Sequence, residues 1–494
     1  MIPPLFRSVA GVLLVLAGVP FFTGRTSAET DRPNVLVIIT DEHNFRTLGC
    51  YRRQLPVEQA EMWGPGAVVA TPNLDRLADE GLIATRAYAT SPVCSPCRAA
   101  MITGLYPHTA GVPANNRELR DVPTLATLLG EAGYRTSFIG KWHLGGSSKP
   151  GWTPEIDGGF QHTTFMFNRG HWKKFEQTAN GARVGARNKA GEPSYDVDGA
   201  DDETFATDFL TDRVIDFFRE SGDQPFLAVV SYPDPHGPNT VRSPYDKRFS
   251  SLRFLSPRTY GRDDLPTPGW LGGGKNHPKF LGDQMAKYFG MVQCIDDNVG
   301  RLLAELESDD RLDSTIVVMT SDHGDLCYEH DRLNKGNPYE GSARVPMLVR
   351  FPPKLTAGRV YKQPIGTVDL TPTLVSLAGV NAKTGFAGRD LSDALAGVST
   401  TETRGVTFLR NAGPTAQWVA AVDDRYKLIL SVNDKPWLFD NETDPDELLN
   451  FFGRGESAET VERLGTALAE YGRQHDDPHL SHPKIVASMK LCEP

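Results

Sequence analysis

Cysteine is scarce: Cys50, Cys94, Cys97, Cys294, Cys327 and Cys492 are the six in 494 residues. That is too few for a disulfide scaffold in a chain this long. Positive charge is not in surplus either. The formal net charge is -10, which excludes a broadly basic surface and with it nucleic acid as a partner. A negative chain that handles anions needs a local, buried cluster of cations. Beyond the first residues no apolar run is long enough to span a bilayer, which excludes stable membrane insertion. No internal repeat and no low-complexity tract is present.

At the N-terminus, Arg7 precedes an apolar run from Val9 to Phe22, and Thr26, Ser27 and Ala28 supply small residues. This predicts a signal peptide over 1–28 and export, to the periplasm or outside the cell. No cysteine near Ala28 suggests a lipid anchor. The remainder divides into a catalytic region over 31–400 and a smaller C-terminal subdomain over 405–494.

Four apolar runs, Val35–Thr40, Thr136–Ile139, Phe226–Ser231 and Thr315–Thr320, read as strands buried on both faces. Helical stretches separate them. One covers about Gln284 to Leu306, and another follows Thr71-Pro72, where Thr suits the cap and Pro the first turn. The predicted class is α/β, a large mostly parallel sheet sandwiched by helices. In such sheets ligands bind beyond the carboxyl ends of the strands. Here the four strands run into Asp41-Glu42-His43, Lys141-Trp142-His143, Asp234-Pro235-His236 and Asp322-His323. The stretches from Trp152 to Asp202 and from Ser250 to Pro278 read as long loops that could wall a pocket. Val419–Val422, Tyr426–Val432 and Trp437–Phe439 read as short antiparallel strands and Glu459–Tyr471 as a closing helix, which makes the C-terminal subdomain α+β.

The segment from Ser91 to Gly104, SPVCSPCRAAMITG, is the most informative. Pro96 suits a first helical turn, which puts Cys94 just before a helix N-terminus, where backbone N–H groups favour anions. Arg98 lies one turn in, with a planar fork suited to a tetrahedral oxyanion. Taken alone, Cys94-x-x-Cys97 also fits a redox pair or a structural disulfide.

The longer pattern, Cys94-x-Pro96-x-Arg98 followed by Ala-Ala-Met-Ile-Thr-Gly, resembles the signature of the formylglycine-dependent sulfatases. The likeness extends over most of the chain. It includes Asn34 to Asp41, "GKWHLG" at 140–145, "PHGP" at 235–238, "SDHG" at 321–324, Lys335 with Tyr339-Glu340 and Arg344-Val345-Pro346, and the late "LFDNETDPDELLN". The resemblance implies an alkaline-phosphatase-like fold. A maturation enzyme would oxidise Cys94 to formylglycine, the nucleophile. Asp41, Glu42, Asp322 and His323 would bind one divalent cation together with an oxygen of the modified Cys94. Calcium is the first choice, with magnesium, manganese and zinc as alternatives, because imidazole suits zinc or manganese better. Arg98, Lys141, His143, His236 and Lys335 would surround the sulfate, with His236 protonating the leaving alcohol and His143 serving as base. A sulfated carbohydrate or another sulfate ester would be the substrate.

Glu42, His323 and Cys97 stand where the family more often has Asp, Asn and Ser. His323 mildly favours a related hydrolase of phosphonate monoesters or phosphodiesters. A non-catalytic sulfoglycan-binding protein and a thiol oxidoreductase using Cys94 and Cys97 are the remaining readings. His43, His108 and His330 read as structural hydrogen-bonders. His475, His479 and His482 read as a solvated tail, and Cys50, Cys294 and Cys327 as packing residues. Asn441-Glu442-Thr443 fits a short glycosylation acceptor motif. Arg169, His171, Trp172, Lys173 and Lys174 form a basic aromatic knot in a loop, a candidate substrate wall. Arg410 and Trp418 are weaker candidates for that role.

Overall fold

Val35 to Asp41 is apolar on both sides of its pleat, and only a strand covered on both faces can bury such a run. A computed structural model describes residues 32–271, 278–398 and 405–493, with Met1 and Pro4; the expected signal peptide lies outside the described residues. In it Asn34–Asp41 (β1) is central to an eight-stranded sheet. The other strands are Leu82–Ala84 (β2), Arg135–Lys141 (β3), Met166–Phe167 (β4), Phe226–Pro235 (β5), Thr315–Ser321 (β6), Met347–Arg350 (β7) and Arg359–Tyr361 (β8). Their order is β8-β2-β7-β6-β1-β5-β3-β4.

Pairing is parallel for β6 with β1, β1 with β5, and β5 with β3, while β7 runs antiparallel to β6 and β2. The sheet is therefore mostly parallel. Val35, Val37 and Ile39 point into one apolar layer with Met101, Leu125, Leu129 and Leu374. Leu36 and Ile38 point into the other, with Phe209, Leu210, Ile295 and Leu302. Two-residue periodicity thus places helices on both faces. They include Pro72–Glu80 (α1), Cys94–Thr103 (α2), Ala206–Ser221 (α3) and Gly282–Ser308 (α4), the last extending the expected helix by two residues at each end.

A four-stranded antiparallel sheet of Thr407–Arg410, Trp418–Val422, Tyr426–Ser431 and Trp437–Asp440 follows. Ala458–His475 and Pro483–Lys490 are helices, and Leu464 and Leu468 of the first and Ile485 of the second pack on Val419, Leu428 and Leu430. Residues Pro33–Pro494 form one compact unit. Among the described residues no helix is long and apolar enough to cross a membrane.

Three local expectations need correction. Thr71 precedes α1, but its hydroxyl accepts from Gly49 N and donates to Asp75 instead of capping the helix. The stretch from Trp152 to Asp202 is not uniformly loop, since β4 and a small hairpin of Phe175–Thr178 with Gly181–Val184 lie inside it. The C-terminal histidines are not a solvated tail as a group. His475 ends its helix with its ring tilted against Tyr106, centroids 4.7 Å apart, and His479 is buried with Nε2 on the Gly413 carbonyl.

Candidate active site

The carboxyl ends of β6, β1, β5 and β3 lie side by side because those four strands are consecutive and parallel. This register brings Asp322, Asp41, His236 and Lys141 to one edge although they are up to 281 positions apart in sequence. Two turns there use backbone that L-residues adopt reluctantly: Glu42 has φ 65° and His143 φ 61°. Helix α2 meets the same edge. Cys94 is its first residue, one position further into the helix than expected, and is fully buried.

The Cys94 sulfur lies 3.2 Å from His323 Nε2, 3.8 Å from Asp41 Oδ1 and 3.8 Å from the Lys141 ammonium. Burial opposes ionisation of the thiol, but Lys141, Lys335 and His323 outweigh it and hold its pKa well below the ordinary value. Cys97 differs. Its sulfur faces Thr367 Oγ1 at 3.2 Å, and burial pushes its pKa up. All six cysteines are free, so no Cys94–Cys97 bridge forms.

Ligand atoms of Asp41, Cys94, Asp322 and His323 lie within 4.8 Å of one another. Arg98 locks the two carboxylates. Its Nε donates to Asp322 Oδ2 at 2.8 Å, Nη2 to Asp41 Oδ2 at 3.3 Å, and Nη1 to the Lys141 carbonyl and Ser231 Oγ, both at 2.7 Å. With every guanidinium nitrogen engaged, Arg98 braces the carboxylates instead of opening towards an anion. Burial and the Asp41 charge push the Asp322 carboxyl up, and the Asp322 charge lifts His323 to about 9 against the effect of burial. The cluster thus draws positive charge. Two hard carboxylates with an imidazole fit a divalent cation.

Glu42 stands outside that group of four. Its carboxylate makes ion-pair contacts with His236 Nε2 at 2.9 Å and Lys335 Nζ at 3.2 Å, neither with hydrogen-bond angles. Burial opposes its ionisation, but contact with His236 and Lys335 brings its pKa down to about 2. His236 Nδ1 lies 2.9 Å from the Gly237 carbonyl, which can only accept, so Nδ1 carries the fixed proton and Nε2 is the working atom. Lys335 Nζ is 2.6 Å from that Nε2. Lys141 Nζ pairs with Asp41 Oδ2 and lies 2.8 Å from His171 Nε2. His143 is 5 % exposed, and burial lowers its pKa to about 4, so it is a neutral imidazole beside the Cys94 thiol.

Asp41, Glu42, Cys94, Arg98, Lys141, His143, His236, Asp322, His323 and Lys335 thus come to one edge of the sheet, whereas Glu340 and Glu447 of the later motifs pair with Lys427. The basic aromatic knot divides: His171 enters the site, Trp172 packs inside on Tyr195, and Lys173 is fully buried against Asp234. Only Lys174 of the last three keeps its polar end near the surface. Ser231, which receives Arg98 and donates to the Lys141 carbonyl at 2.8 Å, had not been singled out. Its signal was a polar residue closing an otherwise apolar strand. His43 bridges the Thr40 and Thr47 hydroxyls, and His108 joins Arg410 to the His475 carbonyl, both structural as expected. Arg410 and Trp418 are buried, Arg410 against His108 and Asp477.

A family model described as Sulfatase matches residues 33–380, and one described as N-sulphoglucosamine sulphohydrolase, C-terminal, matches 328–474. An uncharacterized sulfatase, YidJ, of Escherichia coli is 28 % identical over 486 residues, covering 91 % of this chain and 89 % of its own. The N-acetylglucosamine-6-O-sulfatase of Bacteroides thetaiotaomicron is 26 % identical, over 91 % and 88 %. The phosphonate monoester hydrolase of Agrobacterium radiobacter superposes with a TM-score of 0.70 at 23 % identity, over 91 % and 97 %, and so shares the fold. With its first model covering well over half the sequence, the chain belongs to the sulfatase family and is a sulfuric ester hydrolase of alkaline-phosphatase-like fold.

Proposed function

We propose that the protein removes sulfate from a sulfated carbohydrate using formylglycine made from Cys94. The observation that carries this reading is the placement of Cys94 at a helix N-terminus among two carboxylates, the buried Lys141 and the partly buried Lys335. The sulfated-sugar relative supports the substrate class. A divalent cation, calcium first, would be held by Asp41, Asp322, His323 and the oxygen that replaces the Cys94 sulfur, with Glu42 as a further carboxylate at its edge. Together the modified residue and the cation would supply the nucleophile and the charge that orients it.

The chain's own residues do the rest. Arg98 fixes Asp41 and Asp322. Lys141 and Lys335 neutralise the sulfate oxygens. His236, its Nδ1 committed to the Gly237 carbonyl, takes a proton at Nε2 from the Lys335 ammonium 2.6 Å away and passes it to the leaving alcohol oxygen. His143, held neutral by burial, takes a proton from the Cys94 side when sulfate departs. The leader-like segment over 1–28 supports export, where sulfated polysaccharides are met, with a formylglycine-generating enzyme as an earlier partner.

His323 beside Asp322 supports a second reading, hydrolysis of phosphonate monoesters or phosphodiesters, and the shared fold is compatible with it. One experiment addresses both. Mature protein is digested and the Cys94 peptide weighed, and sulfate release from sulfated mono- and oligosaccharides is compared with turnover of phosphonate esters. An aldehyde at Cys94 with faster sulfate release supports the first reading. An unmodified thiol in active protein overturns the formylglycine chemistry, and faster phosphonate turnover moves the assignment to the second.

A further inference from the structure

His171 was one member of a loop knot with no periodicity, yet its ring lies parallel to that of His236, centroids 3.4 Å apart and planes 8° apart. Two residues on, the Lys173 ammonium donates to the His236 backbone carbonyl at 2.8 Å. It also pairs with Asp234 Oδ1 at 2.5 Å, whose other oxygen accepts from Thr207 at 2.6 Å. One short segment therefore grips His236 by its ring and by its backbone.

The segment is itself anchored. The Asn168 amide donates to the carbonyls of Gly145, Gly146 and Ser148 and accepts from Gly145 N at 2.9 Å, and the Asn168 carbonyl accepts from His143 N at 2.6 Å. Gly170 sits at φ 120°, and a Cβ there would lie 2.4 Å from Trp172 Nε1, so the turn needs glycine. These contacts tie the segment to the turn after β3 that carries Lys141 and His143.

Ligand atoms of His171 and His236 also lie within 4.8 Å of Asp41 and Cys94, a set that could hold a metal. Lys141 argues against that use. An ammonium only donates, so at 2.8 Å it occupies the single lone pair of a neutral His171 at Nε2 and places a positive charge there.

We propose that Asn168–Lys173 is a clamp, with His171 the positioning residue that holds the His236 ring, and through it Nε2, towards the leaving oxygen. The clamp rests on the reading of His236 as proton donor. A donor displaced by about 1 Å loses about 10²-fold, and a positioned acid contributes about 10²- to 10⁴-fold.

The test compares His171→Ala and His171→Phe with the unaltered protein on a sugar sulfate and on nitrophenyl sulfate, whose phenolate leaves without a proton. His171→Ala should lower kcat about 10²-fold on the sugar sulfate and less than about fivefold on the nitrophenyl ester. His171→Phe, which keeps a flat ring over His236, should recover about tenfold of the loss, with melting temperature unchanged in both. Equal losses on the two esters, or none on either, would overturn the clamp. Crystal structures of the two variants give a reading independent of turnover: His236 should be displaced or split between rotamers in His171→Ala, and a ring left in place overturns the proposal. Absence of sulfate-ester turnover by the unaltered protein would instead sink the proposed function, with the structures still deciding the clamp. Lys173 variants would leave Asp234 buried and unpaired, so misfolding would imitate the effect.

Discussion

The Cys94 sulfur and His323 Nε2 are 3.2 Å apart, the closest of the polar contacts that the sulfur makes with the cluster. The residue proposed for oxidation thus touches the group that would share the cation with it, and both lie at 2 % exposure or less. Nucleophile and cation site are one construction, and the consequences below follow from that.

Cys94→Ala should abolish sulfate release, with kcat falling at least about 10⁴-fold, the scale seen when a covalent nucleophile is removed. The aldehyde-reactive mass signal should vanish with it. Retained turnover in Cys94→Ala would show that another group attacks.

A cation bound only by the folded state stabilises it, by about 2.7 kcal/mol at 100 times its dissociation constant. Denaturant unfolding with calcium, and again with a chelator, should show that difference in the mature protein. Asp322→Asn should lose most of it, because the variant removes one of two clustered carboxylates. Metal analysis of purified protein then distinguishes calcium from magnesium, manganese and zinc.

Arg98→Lys should not be conservative. The guanidinium reaches Asp322, Asp41, the Lys141 carbonyl and Ser231 at once, and a lysine cannot reproduce that fork. Losing one charged hydrogen bond costs about 1.5–3 kcal/mol. A lowered unfolding midpoint together with weaker cation binding is expected. A change in kcat without either would mean that Arg98 touches the substrate.

Away from the site, Lys427 is fully buried between Glu340 at 2.6 Å and Glu447 at 2.8 Å, joining the C-terminal sheet to the segment after Lys335. Lys427→Met leaves Glu447 buried without its ion pair and Glu340 with Arg344 alone, and should cost about 3–5 kcal/mol in chemical unfolding. The pH dependence differs between the two acids. Burial raises Glu447, and Lys427 does not offset that burial together with the Glu340 charge, so its folded pKa lies above the ordinary 4.5. Its favourable contribution is complete below pH 4.5 and is lost as pH rises through the folded value. In Glu340 the charges of Lys427 and Arg344 outweigh burial and depress the pKa, so its contribution is present above 4.5 and is lost only at more acid pH. Glu447→Gln should therefore lose less stability than the unaltered protein when pH is raised from 4.5 towards neutrality, read as melting temperature against pH.

The sequence by itself determined the strands β1, β3, β5 and β6, the long helix α4 and the chemistry at the strand ends. Each is written locally, as an apolar run of the right period followed by residues that only catalysis or metal binding explains. Asp41, Lys141, His236 and Asp322 were legible for that reason, since a parallel sheet collects its strand ends whatever their separation in sequence, whereas Cys94, at a helix start, and Lys335, in a loop, were legible through the sulfatase-like motifs around them. Tertiary structure alone decided the rest. Nothing local distinguishes His171, stacked on His236, from Lys174 at the surface. Lys173 looks like a solvated charge until Asp234 and the His236 carbonyl are seen to surround it. The contacts of the Glu42 carboxylate with His236 and Lys335, and of Arg98 with Asp41 and Asp322, likewise join residues far apart in sequence. Burial, pairing and direction of a side chain depend on neighbours distant in the chain, and periodicity carries no record of them.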